Sequence, residues 1–307
     1  MTRVAAIDCG TNSVRLLVAD ASSHGLAEVV RTMEIVRLGE GVDRTGRLAP
    51  AAIERTRKAL EGYAATIAET GAEKVRMVAT SASRDASNAE DFRAMVREVL
   101  GQDPEVISGE QEALLSFTGA VRGLPAEGPY LVVDIGGGST EFVLGTSDVE
   151  AARSVDVGCV RLTERHLHDD PPTAAQVAAA EADIRAALAS VRETVPLERA
   201  RTLVGLAGSV TTVTALALGL SEYDSTRIHH ARISARQVAD VTAMLLGATR
   251  RERAALPVMH PGRVDVIGAG ALVLRVIVEE LGVTEVLASE HDILDGIALS
   301  LTDLARD

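Results

Sequence analysis

Tryptophan is absent from this 307-residue chain, and aromatic residues make up only 2% of it. Stacking platforms for bases or sugars are therefore disfavoured, and the cores must be aliphatic. Hydrophobic residues are 47% of the whole, enough to fill them. Cysteine is scarce too. Cys9 and Cys159 cannot form a disulfide scaffold and are expected as buried, reduced thiols. Positive charge is in deficit, with a formal net charge of −13. A broad nucleic-acid face needs concentrated Lys and Arg, so no nucleic-acid partner is expected. An anionic substrate would need a local device: backbone amides, helix N-termini, a metal ion or a few arginines. The opening stretch, MTRVAAIDCG, shows no apolar core with a cleavage site. The most apolar segment, LVGLAGSVTTVTALALGL (203–220), is at the short limit for a membrane span and is studded with Gly, Ser and Thr. It is expected as a buried helix, with no membrane partner and a cytoplasmic location.

What the sequence does contain is a repeated pattern. VAAIDCGTNSVRLLV (4–18) aligns with LVVDIGGGSTEFVLG (131–145) when the aspartates are superimposed. Asp8 falls on Asp134, Gly10 on Gly136 and Ser13 on Ser139. The shared form is apolar strand, Asp, x, Gly, two residues, Ser, apolar strand, and it predicts two related domains, each opening with a hairpin.

Around these hairpins strands and helices alternate. Further strands are expected near 28–36, a helix over about 50–70, and a strand at 75–83 ending in small polar residues. Asn88 with Asp91 gives an N-cap signal for AEDFRAMVREVL, and Ser108 with Gln111 a capping box for the helix that follows. GLPAEGP (123–129) reads as a linker. Beyond it come a long helix at 172–195, a strand at 201–208 entering a glycine turn, and a helix. Another helix, begun by Ser234, runs through ATRRERAAL; a largely helical 264–282, a strand at 283–289 and a closing amphipathic helix at 292–305 complete the chain. The alternation predicts an α/β fold, with mixed sheets because the repeated units begin as hairpins.

The chemistry concentrates at the turns. Gly-Gly-Gly-Ser-Thr after a strand can aim backbone amides at an anion. It lacks the GxxxxGK[ST] spacing and lysine of a P-loop, and TEFVLG beyond it reads as strand rather than helix. A glycine-rich turn used only for shape is the alternative. GLAGS (205–209) is a further strand, glycine turn and helix N-terminus that could hold a phosphoryl oxygen; a close helix–sheet crossing is its alternative. Asp8, Asp134 and Glu141 offer hard carboxylate oxygens suited to Mg²⁺, with phosphate and water completing the shell. Glu141 lies seven residues beyond Asp134, on the returning strand. The histidine pairs 166/168 and 229/230 lack partners at zinc-site spacing, and the second reads as a solvated strand face. Arg250, Arg251 and Arg253 read as a solvated helix face or a track for a long anion.

IDCGTNSVRLLV, VATSASRDASN, ISGEQEALLSFTGAV, LVVDIGGGSTEFVLG, VGCVRLTE, LVGLAGSVTTVTAL and GRVDVIGAGALVL span nearly the whole chain. In this order they resemble the exopolyphosphatase/guanosine pentaphosphate phosphatase family, in the superfamily of actin, sugar kinases and the 70-kDa heat-shock ATPases. The likeness is to its short two-domain members. It implies two tandem actin-like (ribonuclease H-like) domains with mixed sheets and an interdomain cleft, at 1–124 and 125–291, the closing helix returning to the first. It makes Glu112 the base that orients or deprotonates water, and Arg84 a phosphate contact. Asn12, Ser13, Gly137, Gly138, Ser139, Gly208 and Ser209 become the phosphate-binding ring, and Asp8, Asp134 and Glu141 the metal set, for Mg²⁺ or Mn²⁺. Gly158, Arg161 and Thr163 fall in a motif that shapes a second-domain turn. Gln111 stands where the family often has an acid, and can still serve the capping box.

The implied activity is release of terminal orthophosphate from inorganic polyphosphate. Guanosine pentaphosphate 5′-phosphohydrolase is the nearest rival, and nucleoside triphosphates are candidate substrates. More remote are a superfamily kinase and a non-catalytic, nucleotide-driven assembly protein. A homodimer is the family's expectation.

Overall fold

The structure, a computed structural model, describes residues 2–22 and 25–302. Its first elements are β1 (Thr2–Cys9), β2 (Ser13–Ser22), β3 (Gly25–Ile35), α1 (Val42–Thr45), α2 (Pro50–Thr70), β4 (Lys74–Ala79), α3 (Ser81–Asp85), α4 (Ala89–Leu100), β5 (Glu105–Val106) and α5 (Gly109–Val121). After the irregular 122–129 come β6 (Tyr130–Ile135), β7 (Thr140–Gly145), β8 (Val149–Val155), α6 (Cys159–His166), α7 (Ala174–Arg192), β9 (Thr202–Leu206), α8 (Ala207–Ala217), α9 (Ser225–Ile228) and β10 (Arg232–Ser234). The chain closes with α10 (Ala235–Gly247), α11 (Arg250–Ala254), α12 (Ile267–Leu281), β11 (Glu285–Ala288) and α13 (Ile293–Ser300).

One sheet has the order β3-β2-β1-β4-β5 and the other β10-β11-β9-β6-β7-β8. In the first, β1–β2–β3 are antiparallel and β1–β4–β5 parallel. The second repeats this wiring, with β8-β7-β6-β9 in the roles of β3-β2-β1-β4. This is the tandem actin-like, ribonuclease H-like α/β fold with mixed sheets. By contacts the chain divides into one unit of 2–119 with 293–302 and another of 120–292.

Strand alternation sorts the side chains of each sheet onto two faces. In the first unit Ala5, Ile7 and Cys9 of β1 join Leu60, Tyr63, Phe92 and Val96 of α2 and α4 in one core. Val4 and Ala6 point the other way, to Leu115 of α5 and Ile293, Leu294 and Ile297 of α13. Asp8 continues this second face at the end of the strand. In the other unit Leu131, Val133, Ile135, Phe142 and Leu144 enter the large core with Ile184 and Leu188 of α7 and much of α12. By the same alternation Asp134 and Glu141 lie on the reverse face.

Several local expectations change. One continuous strand, β3, covers the region near 28–36. SASRD is not the end of a strand but the short helix α3. Asn88 does not cap α4: its amide clamps the backbone of Leu48, accepting from Leu48 N–H at 2.8 Å and donating to its carbonyl at 3.1 Å. The helix begun by Ser234 stops at Gly247, and Thr249 with Glu252 caps a new one. Arg253 is no solvated residue. It is buried, donating to Val264 O, Ala248 O and Asp170. The closing helix is buried from Ile293 to Leu299; residues 303–305 of its expected span lie outside the described residues.

Within 203–220, Ser209–Ala215 of α8 are all buried. No helix among the described residues is long and apolar enough to cross a membrane. Both cysteines are free and buried, and burial pushes both thiols up from their ordinary value. A disulfide-exchange reagent at about pH 8 is expected to leave native protein unlabelled and to modify both thiols in denaturant. Rapid labelling of either native thiol contradicts this core.

Candidate active site

The β1–β2 turn is closed by Gly10 N–H donating to Ser13 O at 2.9 Å. Its carbonyls are held from behind. Gly39 N–H donates to Thr11 O at 2.8 Å, and Val36 and Arg37 N–H donate to Asn12 O at 3.1 and 2.8 Å. A trans peptide places its C=O and N–H on opposite sides. Anchoring the Thr11 and Asn12 carbonyls therefore aims the Asn12 and Ser13 amides forward. Among the described residues the Asn12 amide has no hydrogen-bond acceptor.

The second unit builds the same device from different residues. Gly136 N–H donates to Ser139 O at 3.1 Å. Here the start of α6 supplies the anchors: Cys159 N–H to Gly136 O at 3.0 Å, and Val160 and Arg161 N–H to Gly137 O at 2.9 and 3.1 Å. Arg161 Nε donates to Gly138 O at 2.7 Å. The forward amides are those of Gly137, Gly138 and Ser139, and for the two glycines no acceptor stands among the described residues. Gly158 permits this contact, since a Cβ there would overlap the Gly137 carbonyl. VGCVRLTE thus braces the turn, in keeping with the turn-shaping role that the family resemblance implies.

Glu112 and Arg84 meet within the first unit. Ser108 and Gln111 form the expected capping box, with Gln111 N–H to Ser108 Oγ at 3.2 Å and Ser108 N–H to Gln111 Oε1 at 3.0 Å. This fixes the first turn of α5, leaving Glu110 exposed and Glu112 buried at 8% exposure. Arg84 Nη1 donates to Ile107 O at 2.9 Å and stands 3.5 Å from Glu112 Oε2. A buried carboxylate beside a forked cation can order a water and hold a phosphoryl oxygen.

The carboxylates near the ends of the two strands differ in company. Asp8 pairs across β1–β2 with Arg15, whose Nε and Nη2 lie 3.0 and 2.7 Å from Asp8 Oδ2. Asp134 pairs across β6–β7 with Glu141, and both are buried. Ser154 Oγ donates to Glu141 Oε1 at 2.7 Å. Among the described residues no group of three or more His, Cys, Asp or Glu is arranged to hold a metal ion. The Asp134–Glu141 pair nevertheless suits Mg²⁺, which commonly takes one or two carboxylates and completes its shell with phosphate and water. Asp8 differs from this pair in already having a cation beside it, Arg15.

At the third turn, Gly208 and Ser209 occupy the first turn of α8, which has no side-chain cap. The Ser209 side chain does not face outward: it is buried, and a Cβ on Gly270 would overlap its Oγ. Its amide is what remains to offer. Arg263 was not singled out from the sequence. Its guanidinium lies where a Gly208 side chain would be, with Nη1 3.3 Å from Gly208 O and 3.2 Å from Thr212 Oγ1. The sequence signal was an arginine just ahead of the apolar run of α12, inside a stretch already quoted for its resemblance. His229 and His230 form no strand face. They stack at 3.6 Å after α9, with His291 4.4 Å from His229.

Two copies of one hairpin, each with turn amides aimed away from its braces, define an actin-like α/β protein. The chain belongs to the Ppx/GppA phosphatase family, whose model matches residues 17–304. It is 54% identical over 316 residues to Exopolyphosphatase 2 of Mycobacterium tuberculosis, covering 98% of this chain and 99% of that protein. It is 30% identical over 298 residues to the guanosine-5′-triphosphate,3′-diphosphate pyrophosphatase of Aeromonas salmonicida, covering 97% of this chain and 59% of that one. A crystal structure of an exopolyphosphatase-like protein superposes with a TM-score of 0.97 at 43% identity, covering 100% of this chain and 99% of the other.

The bracing of the Gly-rich turn is open to test. Gly158→Ala forces a methyl against backbone, and overpacking of this kind costs about 1–3 kcal/mol. Denaturant unfolding is expected to register that loss. Wild-type stability in the variant contradicts the close approach of α6 to the turn.

Proposed function

We propose that this chain is an exopolyphosphatase that removes the terminal phosphoryl group of inorganic polyphosphate and releases orthophosphate. The near-full-length identity to Exopolyphosphatase 2 supports the substrate. The burial of Glu112 beside Arg84 supports the chemistry. In this reading Glu112 accepts a hydrogen bond from water and orients it toward the terminal phosphorus. The new P–O bond forms as the terminal P–O–P bond breaks; the water's proton passes to Glu112 and then to solvent, and the shortened chain leaves as its oxyanion. A carboxylate is a weak base for water, so most of the rate comes from orientation and charge stabilisation. Arg84 grips phosphoryl oxygens, as do the amides of Asn12, Ser13, Gly137, Gly138, Ser139, Gly208 and Ser209, and Arg263 adds a cation beside Gly208.

Mg²⁺, with Mn²⁺ as a substitute, supplies further charge neutralisation when bound. Asp134 and Glu141 are the residues proposed to hold it, and Asp8 instead orients Arg15. Hydrolysis of guanosine pentaphosphate is the second reading, supported by the Aeromonas relative; catalytic efficiencies on the two substrates, measured side by side, separate them. A cytoplasmic homodimer belongs to the same proposal, with light scattering as the check on assembly.

Purified protein with polyphosphate and Mg²⁺ should release orthophosphate, and Glu112→Gln should lower kcat by about 10²–10⁴. A wild type that releases none, or a variant as active as wild type, overturns the reading. Calorimetric titration of Mn²⁺ with orthophosphate, the product, in place of the hydrolysable substrate tests the metal assignment without turnover. Asp134→Asn and Glu141→Gln are each expected to weaken binding by about tenfold or more, as loss of a direct carboxylate ligand should. Asp8→Asn should stay within about twofold of wild type, and a larger loss there returns Asp8 to the ligand set.

A further inference from the structure

We infer that Thr11 and Ser81 are positioning residues for the proposed reaction: their hydrogen bond straps the first phosphate turn to the helix that carries Arg84. The inference rests on the functional reading above. Thr11 Oγ1 and Ser81 Oγ lie 2.8 Å apart, both buried, although 70 residues separate them in sequence. One sits in the β1–β2 turn, immediately before Asn12. The other opens α3, three residues before Arg84, so Ser81 and Arg84 share a face of that helix.

The strap matters because α3 cannot hold itself in place. It has only five residues, well below the length at which an isolated helix is stable, and Thr80 gives it no side-chain cap. Its register comes from contacts outside it. Thr80 N–H donates to Cys9 O at 3.2 Å, which anchors the start of the helix to the end of β1. Arg84 Nη1 donates to Ile107 O, which anchors the far end. Between these, the Ser81 hydroxyl is the side-chain contact that ties α3 to the turn.

Thr11 is equally constrained. Its carbonyl accepts from Gly39 N–H. Its methyl occupies the space that a side chain on Gly39 would need, next to Ala82 of α3. With the backbone and methyl fixed, the hydroxyl has Ser81 as its hydrogen-bond partner. The corresponding position in the second hairpin is Gly137, which has no hydroxyl. The strap therefore belongs to the first copy, whose turn must be kept in step with a separate arginine. In the second copy the arginine that reaches the turn, Arg161, bonds to it directly.

Neither hydroxyl is proposed to touch the substrate. Removing one leaves the other buried without its partner, and the cheapest relief is for α3 and the turn to shift apart. A displacement near 1 Å of groups that orient a reaction can cost about 10²-fold.

The experiment compares Thr11→Val, which keeps the shape and loses the hydroxyl, Ser81→Ala, the double variant, and Thr11→Ser, which keeps the hydroxyl. Phosphate release from polyphosphate is measured per folded enzyme. Thr11→Val and Ser81→Ala should each lower kcat by about tenfold or more with a smaller change in KM. The double variant should be no worse than either single one, since one bond is lost in all three. Thr11→Ser should restore kcat to within about threefold of wild type. In parallel, hydrogen–deuterium exchange of the full chain reads the strap without any substrate. Thr11→Val should speed exchange at 81–85 and Ser81→Ala at 10–14, while Thr11→Ser does neither. Wild-type kcat in both single variants, additive losses in the double variant, or failure of Thr11→Ser to rescue overturns the positioning role. Failure of the wild type to release phosphate would instead sink the functional reading and with it the kinetic role. The exchange data would then decide the strap alone, and unchanged exchange in both variants overturns it.

Discussion

Everything in the candidate site depends on which way a few peptide groups face. Each of the two hairpins turns through residues whose carbonyls are taken from behind, by 36–39 in one unit and by the start of α6 in the other. Peptide planarity does the rest, sending the neighbouring amides the opposite way. The arrangement needs no lysine to present a row of amide donors. It also needs no net positive charge, and so suits a chain with a formal charge of −13.

The two hairpins share this device and part company one step later. The residue seven positions beyond the aspartate is Arg15 in one copy and Glu141 in the other. Both face the aspartate across the register. In the first copy the aspartate faces a cation, Arg15; in the second the pair concentrates two carboxylates. A divalent cation gains most from the second.

Much of the fold was legible because it was local. Helix α2 begins at Pro50, whose missing N–H does no harm at a first helical position, and its span agrees with the periodicity. The capping box at Ser108 was readable from residues three apart, and Ser234 as the start of a helix. The repeated hairpin was readable because both copies kept the same spacing of Asp, Gly and Ser. What escaped is held by distant partners. Asn88 has the right residue type for a cap but spends its amide on Leu48, forty residues away. Arg253 sits in a basic run that looks solvated, yet its guanidinium is used up by carbonyls and by Asp170. Arg263 reaches Gly208 from a separate element, and no spacing rule links an arginine to a glycine 55 positions earlier. The direction of the Ser209 side chain is set by the bare surface of Gly270. Side-chain chemistry was visible in all of these; the partner that decides its use was not.

The central claim is that the two hairpins are one anion grip specialised by the partner of its aspartate. Anomalous scattering from Mn²⁺, in Glu112→Gln crystals soaked with tripolyphosphate, tests it most directly. The account predicts a peak at coordination distance from Asp134 or Glu141, phosphate oxygens on the amides of Gly137 and Gly138, and Arg15 still closed on Asp8. A peak bound to Asp8 with Arg15 displaced, or phosphate oxygens away from both turns, would contradict it.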